Sequence, residues 1–151
     1  MESDGMIAQT IQLALAPVFV LVAIGNIMNI LSNRLSRVVD RSRKLQEQHA
    51  VTSGPEHDEI VREIRIVARR IALISRAIVR LVMSGLTIGL VVALLFIEEF
   101  ASVSLQPFAA AGFFLAIALL MSALFLFMLE TRQATAALRI PESYLELERS
   151  L

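Results

Sequence analysis

Ile60-Val-Arg-Glu-Ile-Arg-Ile-Val-Ala-Arg-Arg-Ile-Ala-Leu-Ile-Ser-Arg-Ala-Ile-Val-Arg80 decides the fold, together with the apolar run Leu81-Val-Met-Ser-Gly-Leu-Thr-Ile-Gly-Leu-Val-Val-Ala-Leu-Leu-Phe-Ile97. Ile60, Ile64, Val67, Ile71, Ile74 and Ile78 recur every three or four residues, the spacing of one helix face. Arg62, Arg65, Arg69, Arg76 and Arg80 fall opposite them, within roughly an 80° arc at ~100° per residue. Nothing interrupts the pattern before the apolar run. One helix therefore leaves water and enters a bilayer.

Working outward, two more blocks have the length a span needs, ~20 apolar residues. The first covers about Ile7 to Leu31 and the third about Phe108 to Leu129. The chain has 151 residues, 56% of them hydrophobic, and a mean hydropathy of +0.70. That exceeds the ~45–50% apolar content of soluble domains. The first block is read as a retained span. Its start, Met-Glu-Ser-Asp-Gly, is acidic, whereas a signal peptide begins with positive charge and has a shorter apolar core. Pro17 sits inside it and is expected to bend it locally. Leu31, Leu35, Val38, Ser42 and Leu45 carry the helical spacing on to about Gln48. Gly54-Pro55 is a turn signal. The expected fold is all-α: three transmembrane helices, the first two extended into a cytoplasmic antiparallel helical hairpin tipped by that turn. The organisation is 1–31 for the outer end and first span, 32–80 for the hairpin, 81–129 for the second and third spans, and 130–151 for a tail. In the tail, 131–140 continues the third helix and 142–151 forms a short amphipathic one. No internal sequence repeat stands out.

Charge sets the orientation. Segment 32–80 holds eleven of the fourteen Lys and Arg residues. The N-terminal flank and the 98–107 connection hold none. The positive-inside rule puts segment 32–80 and the tail in the cytoplasm and the N-terminus outside.

Asn26, Asn29, Asn33, Arg37, Asp40 and Lys44 form a second polar stripe, on the first helix, again within roughly 80°. Further out the same arc becomes Val22, Phe19 and Leu15, with Gln12 near the outer end. Amides at membrane depth need protein or water as partners. Two readings stand. The asparagines join neighbouring helices, or the stripe lines an axial pore with a basic vestibule, amide rings and an apolar constriction. On the pore reading the lining is Gln12, Leu15, Phe19, Val22, Asn26, Asn29, Asn33 and Arg37. The arginine stripe, Arg62 to Arg80, has three readings: contact with lipid phosphate, ion pairs with Asp40, Glu47 or Glu63, or a field for anions. Gly85 and Gly89 form a small-xxx-small motif for helix packing. Glu98 and Glu99 sit at the outer mouth, as a solvated pair or a cation-attracting one.

Other chemistry is thin. With no cysteine and two histidines, His49 and His57, there is no disulfide framework and no Cys/His zinc site. No phosphate loop or recognisable triad marks an enzyme, and no cofactor or metal is expected. A nucleic-acid role is disfavoured by one Tyr, no Trp and balanced charge. The expected partners are membrane lipids, further copies of the chain, and a cytoplasmic protein on the basic hairpin.

One resemblance adds to this. Ile11-Gln-Leu-Ala-Leu-Ala-Pro-Val-Phe19, Ala23-Ile-Gly-Asn-Ile-Met-Asn-Ile-Leu-Ser-Asn-Arg-Leu-Ser-Arg-Val-Val-Asp-Arg41 and Glu63-Ile-Arg-Ile-Val-Ala-Arg-Arg-Ile-Ala-Leu-Ile74 resemble a bacterial membrane family, domain-of-unknown-function family 2721. The resemblance covers about residues 7–130. It implies a protein of the bacterial inner membrane with this span pattern, and it supplies no catalytic residues. The functional expectation is a homo-oligomeric, channel-like protein. The alternative is a structural or regulatory membrane protein whose hairpin docks a soluble partner or anionic lipid.

Overall fold

The computed structural model describes residues 2–101 and 104–136. It contains three helices in chain order: α1 (Glu2–Val51), α2 (Pro55–Ala101) and α3 (Gln106–Ala136). All three are long and apolar enough to cross a bilayer, the build of a multi-pass membrane protein. At ~1.5 Å per residue, α1 and α2 are each about 70–75 Å long. The hydrocarbon layer is only ~30 Å thick, so both project well beyond it. The expected continuation of α3 holds as far as Ala136. The rest of the tail, with the short helix expected over 142–151, lies outside the described residues.

The joint between α1 and α2 follows from local chemistry. Thr52 Oγ1 donates to the Gln48 carbonyl at 2.8 Å, occupying one of the acceptors a helix end leaves open. Gly54 then takes φ +71°, a conformation that side chains resist. Pro55 starts α2, where its missing N–H costs nothing. The Gly54 carbonyl accepts from Asp58 N at 3.3 Å. Glu56 and Asp58 put negative charge at the positive end of the new helix. Pro17, by contrast, does not interrupt α1, which runs through it as one helix.

The helices pack along seams of seven-residue period. On α1 the buried positions are Pro17, Ile24, Leu31, Val38 and Leu45. On α2 they are Ile60, Val67, Ile74, Leu81 and Ile88, with a second row Ala77, Ser84 and Val91. On α3 they are Ala109, Ala116, Ala123 and Glu130, with Leu126 beside the last two. A strict seven-residue repeat keeps one side of a helix on its neighbour through a left-handed supercoil. α2 lies between the other two, and α1 and α3 barely touch. The pairs are antiparallel. Arg41 of α1 meets Glu63 of α2, while Leu21 and Ile24 lie by Gly85. Ser84 Oγ donates to the Ala116 carbonyl at 2.7 Å, and two heptads further along both helices Arg70 meets Glu130.

One seam spans two solvents. Near the turn, Leu45, Ile60 and Val67 are flanked by charged residues, and burial from water drives their pairing. Within the apolar blocks lipid is as apolar as the seam, so close van der Waals contact must do the work. The α3 seam is correspondingly built of alanines. The tightest glycine approach is at Gly112, where an added Cβ would come 2.8 Å from Val91 Cγ2. The Gly85/Gly89 motif behaves differently. Gly85 meets Leu21 and Ile24 only at 3.9 Å, and Gly89 has no atom within 4 Å of an added Cβ.

This contrast gives a test. Gly112→Ala overpacks a stiff, branched neighbour and is expected to destabilise the protein by about 1–3 kcal/mol. Gly89→Ala adds a methyl in open space and is expected to stabilise by up to about 1 kcal/mol through helix propensity. Thermal unfolding of the two purified variants in detergent measures both.

Candidate functional site

Two polar features lie on this scaffold, one turned outward and one closed. The outward one is the α1 stripe. Gln12, Leu15, Phe19, Val22, Asn26, Asn29, Asn33 and Arg37 are all exposed in the single chain. They lie off the buried row, so helical geometry turns them away from α2, except Arg37, which borders a cleft between α1 and α2. The asparagines therefore do not join α1 to the other helices of the same chain. Their one side-chain hydrogen bond among the described residues stays in the stripe: Asn33 Nδ2 donates to Asn29 Oδ1 at 3.3 Å. Phe19, at 69% exposure, is the most open of the apolar members.

The arginine stripe on α2 splits in two. Arg62, Arg65, Arg69 and Arg76 are exposed and enter no ion pair among the described residues. Arg80 is half-buried and donates Nη1 to the Ser122 carbonyl at 3.3 Å. Its upper end thus faces α3 and not open lipid. Glu63 pairs instead with Arg41 of α1, through two hydrogen bonds of 2.8 Å between exposed partners. Glu98 is half-buried, and the Glu99 side chain lies outside the described residues. His49 and His57 meet beside the turn with ring centroids 4.3 Å apart. No group of three or more metal-ligating side chains occurs among the described residues.

The closed feature has no counterpart in the polar stripes that the sequence pattern marks. Glu130 occupies the seam position that alanine holds at 109, 116 and 123, and its side chain is 0% exposed. A carboxylate there requires cations, because burying an unpaired charge is prohibitive. Two arrive from different helices. Arg70 of α2 sets Nε and Nη2 on Oε1, at 3.0 and 2.9 Å. Arg34 of α1 brings Nη2 to 3.3 Å from Oε2. That second contact is mainly Coulombic, since Oε2 accepts no well-aligned hydrogen bond. Arg34 is held further by Thr131 Oγ1 at 3.2 Å and by the Phe127 ring, 5.1 Å from its guanidinium carbon. Both arginines are 23% exposed at the side chain. The signal that could have exposed Glu130 is its period, seven residues beyond Ala123. Without the seam it reads as the first polar residue after a span.

A family model described as "Protein of unknown function (DUF2721)" matches residues 14–140. No curated protein and no solved structure matches the chain.

The buried cluster and the exposed pair make opposite predictions. Glu130→Gln leaves two arginines without their counter-charge and is expected to cost about 3–5 kcal/mol. Arg41→Ala removes an exposed pair and is expected to cost at most about 1 kcal/mol. Combining Glu130→Gln with Arg70→Gln should recover part of the first loss. A double-mutant cycle on thermal unfolding in detergent reads all three.

Proposed function

The chain belongs to the DUF2721 family, whose description assigns no function, and we propose that it is a homo-oligomeric, channel-like protein with α1 at the axis. The observation that carries this reading is the outward α1 stripe. Among the described residues its amides and its arginine have no hydrogen-bond or ion-pair partner on α2 or α3, yet Asn26 and Asn29 lie within the apolar block. An amide in hydrocarbon without a partner is costly. A second copy of the same stripe supplies what each asparagine needs, since an amide offers both donors and acceptors. Repeated about an axis, the stripe gives an ordered path. Arg37 forms a basic vestibule, Asn33, Asn29 and Asn26 form amide rings, and Val22, Phe19 and Leu15 form an apolar constriction with Gln12 beyond it. Such a constriction gates by dewetting.

The membrane placement belongs to the same proposal. The excess of Lys and Arg in segment 32–80 supports a bacterial inner membrane protein with the Gly54 turn and the C-terminal tail in the cytoplasm and the N-terminus outside. Glu98 and Glu99 then flank the outer mouth. The reading assigns no catalytic residue, no cofactor and no nucleic acid. A second reading has its own support in the exposed arginines. Arg62, Arg65 and Arg69 are unpaired among the described residues and suit an acidic protein partner or anionic lipid at the hairpin.

Ion flux in liposomes tests the first reading. Phe19→Ala is expected to raise flux about tenfold, the equivalent of 1.4 kcal/mol off a barrier, and Asn26→Leu to lower it by a similar factor. Undetectable flux across a range of pH, voltage and membrane tension would overturn it. For the second reading, replacing Arg62, Arg65 and Arg69 together by Glu should abolish the capture of a partner in pull-downs or of anionic vesicles. Unchanged capture would sink that one.

A further inference from the structure

Beside the buried carboxylate, α1 and α2 border a half-open cleft of about 180 Å³, lined by Arg34, Arg37, Val38, Arg41, Val67 and Arg70. It is separate from the exposed stripe of Arg62, Arg65 and Arg69, none of which lines it. Four arginines line a small volume, which calls for counter-charge. Two carboxylates supply part of it. Glu130 pairs with Arg34 and Arg70, and Glu63 pairs with Arg41. Neither carboxylate lines the cleft. Arg37 enters no ion pair among the described residues. Four cations against two anions leave the cluster with an excess of two positive charges.

The donors are also in excess. A guanidinium carries five N–H groups. Arg41 uses Nε and Nη2 on Glu63, Arg70 uses the same two atoms on Glu130, and Arg34 uses its Nη atoms on Glu130 and Thr131. Those bonds fix three of the four guanidiniums while leaving each with N–H groups that have no protein acceptor among the described residues. Planar forks held in advance in this way suit a tetrahedral oxyanion, which accepts two parallel bonds from each. At ~30 Å³ of liquid volume per water, the cleft has room for a phosphate group and several waters. Its depth fits as well. Arg34 follows the α1 apolar block by one turn, and Glu130 directly follows the α3 block ending at Leu129. The cleft therefore lies where the apolar blocks give way to polar sequence, the level of lipid phosphates in a spanning protein.

We propose that this cleft binds a phosphate-bearing anion, supplied by a lipid headgroup or by free phosphate. Arg37 and the spare donors of Arg34, Arg41 and Arg70 grip it, and Glu130 and Glu63 hold the arginines in position. The site does not rest on the channel reading, because it is built within one chain.

The test uses the full-length protein in a neutral detergent. Two arms are run, phosphatidylglycerol in one and inorganic phosphate in the other. Phosphatidylcholine and chloride at matched ionic strength are their controls. A ligand that binds only the folded state raises the unfolding temperature with concentration, and native mass spectrometry counts the adduct. Concentration-dependent protection in at least one arm, beyond its control, is expected. Protection by the lipid alone assigns the headgroup as source, and protection by phosphate assigns the free anion. Arg37→Gln should weaken the effect about tenfold or more, as loss of charge-assisted hydrogen bonds does. Since Arg37 holds no other helix, its unliganded unfolding temperature should stay put. Arg41→Gln supplies an independent second variant, and Arg43→Gln, at an exposed arginine outside both the cleft and the Arg62 stripe, should change nothing. Absence of protection in both arms, or equal protection in wild type, Arg37→Gln and Arg41→Gln, would overturn the proposal.

Discussion

Glu130 is buried between Arg34 and Arg70, and the arrangement of all three helices depends on how that charge is compensated. α2 packs along both neighbours, but α1 and α3 barely meet. Without the cluster, α1 and α3 would be related only through α2. A buried carboxylate cannot tolerate the loss of its cations, so it fixes the rotation of two helices about their axes at once. It also fixes their register. Sliding α3 by one seven-residue repeat, about two turns, would move Glu130 off the arginines and set an alanine between them. Apolar packing alone discriminates far less between such alternatives, because Ala109, Ala116 and Ala123 are identical in shape.

That indifference of the alanine seam has a counterpart in its benefit. In lipid there is no gain from hiding apolar surface, and association rests on how closely backbones approach. Alanines on α3 and the bare Cα of Gly112 against Val91 allow that approach. The hydroxyl of Ser84, buried between α2 and α3, is satisfied by the Ala116 carbonyl. Beyond the apolar blocks the constraint changes. Leu45, Ile60 and Val67 pair there because water expels them. One seven-residue period serves both regimes; on α1 and α2 the seam keeps large aliphatic residues in both, and the run of alanines is confined to α3.

Much of this was legible in the sequence, for physical reasons that also explain the rest. The isoleucine and arginine faces of α2 differ so strongly in polarity that periodicity alone assigns them. Gly54-Pro55 marks the turn because few other pairs suit that backbone. The spacing of the α1 asparagines puts them on one arc, and they do share one exposed side. α3 is different. It is apolar all round, so no hydropathy pattern distinguishes its seam from its lipid face. The choice of alanine over leucine at 109, 116 and 123 carries that information, and it shows only once the seven-residue period is known. Glu130 stayed hidden for the same reason. Glycine spacing carries only part of the information, for Gly85 does face Leu21 and Ile24 of α1, at ordinary contact distance. Spacing drew attention to Gly85 and Gly89, while the close approach occurs at Gly112, which has no partner glycine on its helix.

Arg37 belongs to two features, and its position explains why they are adjacent. Along α1 the exposed stripe passes from amides to arginine just as the apolar block ends, so Arg37 stands where hydrocarbon gives way to water. Around the helix it lies between the exposed arc and the cleft, four residues before Arg41 and three after Arg34 on neighbouring turns. An anion in the cleft would neutralise charge at the mouth of the proposed axial path. The potential met by a permeating ion there would then depend on occupancy, since a charge within a Debye length of ~8 Å is only partly screened. Cation entry would be favoured with the anion bound and anion entry without it. Such coupling needs no moving part, only a guanidinium shared between the cleft and the path.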